Sequence, residues 1–111
     1  LALEKNDIAR AGSLAYQAML QAAKALVKIE SPDASDDPDR IVHEFRARFY
    51  DTQTFFDPFA GGKFAQYFFA AHKKAEAAHT EESVRFLIEE AQLFIEASHS
   101  CYNRMATPAI V

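Results

Sequence analysis

The sequence predicts an all-α protein, an up-and-down bundle of four to five helices forming one domain over residues 1–111. Three observations predict it: apolar residues recur at steps of three and four over long stretches, strand-like alternation is missing, and proline- and glycine-marked breaks divide the chain into helix-sized pieces. With 50% hydrophobic residues, a chain of 111 can bury one ordinary core without disulfides or metals.

The first helix is read between Asp7 and Ile29, where Ile8, Ala11, Ala15, Ala18, Met19, Ala22, Leu26 and Ile29 recur with Gln and Lys between them. Its alanines allow close helix approach, and Leu14, Leu20 and Val27 widen the apolar face so that it can touch neighbours on two sides, which predicts a central position. Leu1 to Lys5 reads as the end of an earlier helix, so the chain is expected to be part of something longer. Ser31 to Asp37 is a linker, and Asp37-Pro38 supplies a cap followed by proline at the first helical position. Ile41, Val42, Phe45 and Phe49 form the stripe of the second helix. Asp57-Pro58 and Gly61-Gly62 then interrupt the pattern. A third helix is expected from near Gly62 through Phe64, Phe68, Ala71 and Ala75. Thr80, with Glu81 and Glu82 behind it, starts the last helix, whose face is Val84, Leu87, Ile88, Ala91, Phe94, Ile95, Ser98 and Tyr102. Residues 106–111 are expected to form a tail.

The charge balance argues against sequence-independent nucleic-acid binding, because 16 acidic against 12 basic side chains give a net charge of -4. Cys101 is the sole cysteine, which rules out an intrachain disulfide and a cysteine metal box and makes the cytoplasm the expected compartment. No apolar run approaches the roughly 20 residues a spanning helix needs, so no membrane partner is expected.

Ten aromatics crowd the stretch from Phe45 to Phe69. Phe45 and Phe49, then Phe64 and Phe68, have core spacing; Phe55, Phe56, Phe59 and Phe69 are left over, for a plug in the loop or an exposed patch that binds a partner. Two Glu-x-x-His pairs, Glu76/His79 and Glu96/His99, have the spacing that presents two metal ligands on one helical face, as in di-iron bundles. Such a site needs a further Glu from each of two other helices, and Glu30 and Glu44 are weakly placed for it. Chance spacing on a solvated face is the preferred reading. Cys101 lacks a base at helical distance, since His99 is two positions away, and it reads as a small buried or half-buried thiol. Arg40, Arg46 and Arg48 read as a solvated face balanced by Glu44 and the acidic linker. No catalytic residue is assigned.

The segment Ala15-Tyr16-Gln17-Ala18-Met19-Leu20-Gln21-Ala22-Ala23-Lys24-Ala25-Leu26 resembles the Ala-Tyr-x-Ala-x-x-x-Ala-Ala-x-Ala-Leu helix of the HEPN superfamily. Thr80-Glu81-Glu82-Ser83 and Ile88 to Ala97 are similar to that family's closing helix. More narrowly, Asp36 to Phe49, Phe55 to Ala65 and Glu90 to Ala97 resemble the HEPN-like C-terminal extension of some bacterial nitrite/sulfite reductases. The resemblance implies a HEPN-like helical domain that dimerises or docks on the reductase domains of a parent chain. Sirohaem and an iron-sulfur cluster are implied for that parent alone, because one cysteine cannot supply the four that a cluster takes. HEPN ribonucleases use an arginine followed after four to six intervening residues by a histidine, usually assembled across a dimer. No histidine falls at that distance after Arg10, Arg40, Arg46, Arg48, Arg85 or Arg104, so no catalytic pair carries over. The expectation is a non-catalytic interaction or dimerisation module with no cofactor of its own. The alternatives are a degenerate ribonuclease and a metal- or small-ligand-binding bundle.

Overall fold

The computed structural model describes residues 5–57, 60–74 and 80–106. They form α1 (Lys5–Glu30), α2 (Pro38–Phe45) running on into a π-helical turn (Arg46–Tyr50), α3 (Lys63–Lys73) and α4 (Glu81–Ala106). Among the described residues there is no strand, only an isolated bridge between Asp57 and Gly61. Residues 1–4, Ala75 and the tail after Ala106 lie outside the described residues.

Local chemistry sets the helix ends. Asp37 Oδ2 accepts from the Arg40 N–H at 3.2 Å, with Pro38 in the first helical position. At α4 the N–H groups of Thr80 and Ser83 each donate to the other's hydroxyl, at 2.8 and 3.0 Å, so Ser83 takes the part that Glu or Gln plays in a capping box. The Asp51 N–H closes the π turn on the Arg46 carbonyl at 2.8 Å. Beyond it, Asp57 and Gly61 exchange both backbone hydrogen bonds, and Gly61 sits at φ 61°, where glycine carries no Cβ penalty. Gly62 is small for another reason: a Cβ there would lie 2.8 Å from the Tyr50 ring.

The helix directions follow from which residues meet. Tyr16 in α1 meets His72 at the end of α3, and His72 meets Asp39 at the start of α2. Glu30, ending α1, meets Arg48 beyond the end of α2. Hence α1 and α2 point the same way and α3 points back. Phe68 of α3 stacks on Phe94 of α4, the Thr54 carbonyl beyond α2 receives Cys101 and Arg104, and Ala22 and Leu26 of α1 line one groove with Ile95 and Tyr102 of α4. So α4 runs with α1. The bundle has four helices among the described residues, but three share a direction, which corrects the up-and-down order expected from sequence. The linker accommodates this order: residues 31–37 fold back along α1, where Lys24 and Lys28 meet Asp36 at 3.0 and 2.9 Å, before α2 starts.

The two short helices cover one side of the α1/α4 pair, and the core lies there. Phe45, Phe49, Phe55, Phe68 and Phe94 are buried together with Met19, Leu26, Ile41 and Val27. On α1 the buried residues are Gly12, Ala15, Tyr16, Met19, Leu20, Ala23, Leu26 and Val27, so the core stripe is rotated from the one read in the sequence. Ala18 and Ile29 are exposed instead. Alanine is apolar but small, so it marks more of the helix surface than the core needs.

Two outcomes test this packing. Phe94→Ala should lower unfolding stability by about 3–5 kcal/mol in urea titration, as a large cavity among aromatics demands. Hydrogen bonds from Lys28 and Lys24 hold the Asp36 carboxyl below its ordinary value, and Arg48 does the same for Glu44. Because unfolding returns both groups to ordinary values, their contribution is complete above the carboxylate range and is lost as pH falls through it. The urea midpoint should therefore drop on acidification through that range, and less steeply in Asp36→Asn.

Candidate functional site

Because α2 and α3 cover only one side, the opposite face of α1 and α4 is open. On α4 the buried positions Val84, Leu87, Ala91, Phe94, Ser98 and Cys101 repeat at alternating steps of three and four, a heptad seam. The next stripe, Ile88, Ile95 and Tyr102, also recurs every seven residues, and Ile88 and Tyr102 are 38% and 46% exposed. On α1, Leu14 is 60% and Ile29 41% exposed, and Ala18 and Ala25 lie in the open between them. Ala22, Ala25 and Leu26 of α1 and Ile95, Ser98 and Tyr102 of α4 wall a groove of about 430 Å³, with Gln21, His99 and Asn103 at its margin. Ser98 brings no unpaired group, since its hydroxyl donates to the Phe94 carbonyl at 2.8 Å.

The surplus aromatics divide. Phe55 is buried, packed against Phe45 at 5.1 Å and Phe94 at 5.3 Å, so it is a core plug and not part of a surface patch. Phe69 is half-buried between the Tyr50 ring and the Arg46 guanidinium, which lies 4.1 Å over it. Phe56 is 49% exposed, with shallow hollows on both sides. Phe59 lies outside the described residues.

Glu76 and His79 also lie outside the described residues. Glu96 and His99 are exposed on α4, while Glu30 and Glu44 both pair with Arg48, at 3.5 and 2.7 Å. Among the described residues no three His, Cys, Asp or Glu side chains gather as a metal site would require. Cys101 is buried, its thiol 3.9 Å from the Thr54 carbonyl, and burial pushes its pKa up, which leaves little thiolate. Arg46 is stacked on Phe69 and Arg48 is held by two carboxylates.

Sequence reasoning missed one polar constellation. Tyr16 Oη lies 2.7 Å from His72 Nδ1, and His72 Nε2 lies 2.7 Å from Asp39 Oδ1. With Nε2–H donating to the carboxylate, Nδ1 accepts the Tyr16 O–H, so one imidazole clasps α1, α2 and α3 together. Burial foremost, with the Asp39 charge, raises the Tyr16 pKa and keeps the phenol protonated. The chain of bonds acts as a structural clasp, since it ties three helices through one side chain. The only sequence signal was a histidine four residues after Phe68, on an otherwise apolar turn.

Among the described residues no helix is long and apolar enough to cross a membrane. Compared with known protein families, curated proteins and solved structures, the chain matches none.

His72→Ala should cost about 1–3 kcal/mol in urea unfolding, because it leaves the Tyr16 hydroxyl buried without an acceptor; adding Tyr16→Phe should recover part of that loss. Phe56→Ser should change stability by less than about 0.5 kcal/mol, whereas Phe55→Ala should cost about 3–5 kcal/mol.

Proposed function

We propose that this chain is a non-catalytic interaction module, a HEPN-like C-terminal appendage of a nitrite/sulfite reductase, working in the cytoplasm. The observation that carries the interaction reading is the uncovered apolar face of α1 and α4, centred on the groove between Ala22 and Ile95. A helix pair that fills one side with phenylalanines and leaves the other side apolar and open is built to be covered by protein. The reductase link is supported by the resemblance of residues 36–49, 55–65 and 90–97 to such an extension, and by it alone. Any sirohaem and iron-sulfur chemistry belongs to the parent, and this domain contributes association.

Ile95→Glu should abolish association, with a second copy or with separately expressed reductase domains, as read by light scattering and by co-elution, while circular dichroism stays helical. A chain that is monomeric and also fails to bind the reductase domains would overturn the reading. The reading frame upstream of Leu1 tests the parent: reductase domains there support it, and a start codon just upstream removes it.

A further inference from the structure

We propose that the hollow between Tyr50 and Phe56 is a binding site for an alkylammonium cation, carried by a free small molecule or by a lysine side chain. The hollow shares no residue with the α1/α4 groove, so this inference stands apart from the interaction reading.

The hollow measures about 300 Å³ and is lined by Tyr50, Asp51, Gln53, Phe55, Phe56 and Gly62. Its floor is fixed, because Phe55 is buried in the phenylalanine cluster and its N–H donates to the Phe49 carbonyl at 2.9 Å. Two rings wall it, each packed over a glycine. A Cβ at Gly62 would lie 2.8 Å from the Tyr50 ring, and one at Gly61 would lie 3.6 Å from the Phe56 ring. Tyr50 is held further by Gln66 Nε2, which donates to its Oη at 2.9 Å, and by Phe69 edge-on at 5.1 Å. Among the described residues Tyr50 and Phe56 make no ring contact with each other, so the walls stand apart with the hollow between them. Gln53 turns the chain between the walls at φ 61°, a conformation that residues other than glycine seldom adopt, and its N–H on the Tyr50 carbonyl at 3.1 Å holds that turn. The hollow is therefore shaped before any ligand arrives.

The chemistry of the lining selects the charge of the ligand. Aromatic faces attract cations through the ring quadrupole, and a carboxylate beside them balances the positive charge. Asp51 supplies that carboxylate, which forms no ion pair or side-chain hydrogen bond among the described residues. The neighbouring cations of the chain are engaged elsewhere: Arg46 lies over Phe69, Arg104 donates to the Thr54 carbonyl, and Lys63 lies over Tyr67 at 5.9 Å. An anion would instead meet Asp51 and the negative faces of the rings. A hard metal ion would need several oxygen ligands, and one carboxylate falls short. An alkylammonium meets each demand, since its methyl or methylene groups pack on Tyr50 and Phe56 while its charge faces Asp51.

Chemical-shift titration of the isotope-labelled whole chain, at fixed ionic strength, tests the proposal with two probes: choline chloride and Nα-acetyl-lysine amide. Saturable shifts are expected at the Asp51, Gln53 and Gly62 amides, with a dissociation constant on the order of a millimolar. Saturation by choline alone assigns the site to a free cation, and saturation by the lysine amide, with or without choline, assigns it to a lysine side chain. Asp51→Asn and Phe56→Ser should each weaken binding about three-fold, in chains whose remaining resonances keep their wild-type positions. No saturable shift with either probe overturns the proposal. So does equal binding of the neutral isostere of choline, in which carbon replaces the ammonium nitrogen, or binding that neither substitution weakens.

Discussion

Phe45 makes ring contacts with five other phenylalanines, at centroid distances from 5.1 to 6.0 Å, and these join α2, its π turn, the loop behind it, α3 and α4. Most are edge-to-face, the arrangement the ring quadrupole favours, and such pairs add about 0.5–1.5 kcal/mol each beyond the area they bury. Every short element reaches the core through this cluster, so its position decides which side of α1 and α4 is covered. The rings all lie on one side, and the open apolar face on the other is the direct consequence.

The cluster also explains the unusual order of directions. Phe45 faces Phe68 and Phe94 at the same height because the chain returns to the level of Tyr16, near the middle of α1, before α2 proceeds. The folded-back linker, held by Lys24 and Lys28 on Asp36, leads it there, and the Tyr16–His72–Asp39 clasp holds the first turn of α2 at that level. Polar contacts at the margin thus fix the register within which the aromatic packing works.

Much of the fold was legible in the sequence because its signals are local. Asp37-Pro38, Thr80 and Gly61-Gly62 act over one turn of chain, and each sits at the boundary it announced. The direction of α2 was not legible, because no turn signal marks that the linker folds back on the helix before it, with Lys24 and Lys28 meeting Asp36. Nor was the core stripe of α1: Ala18 and Ala22 count as apolar as readily as Met19 and Ala23, yet only the latter two are buried. The same ambiguity hid the candidate site, since Ile88, Ile95 and Tyr102 read as core when they flank the seam. Phe55 and Phe56 are neighbours of one residue type, and the backbone turn between α2 and α3 alone decides that the first is core and the second is surface.

The central claim is that the phenylalanine cluster covers one side of α1 and α4 and leaves the other side apolar and open. Nuclear Overhauser spectroscopy tests it most directly. The account predicts ring cross-peaks from Phe45 to Phe68 and Phe94, and none from the Phe45 ring to the Leu14 or Ala18 methyls. Cross-peaks from the Phe45 ring to those methyls, with none to Phe68 and Phe94, would contradict it.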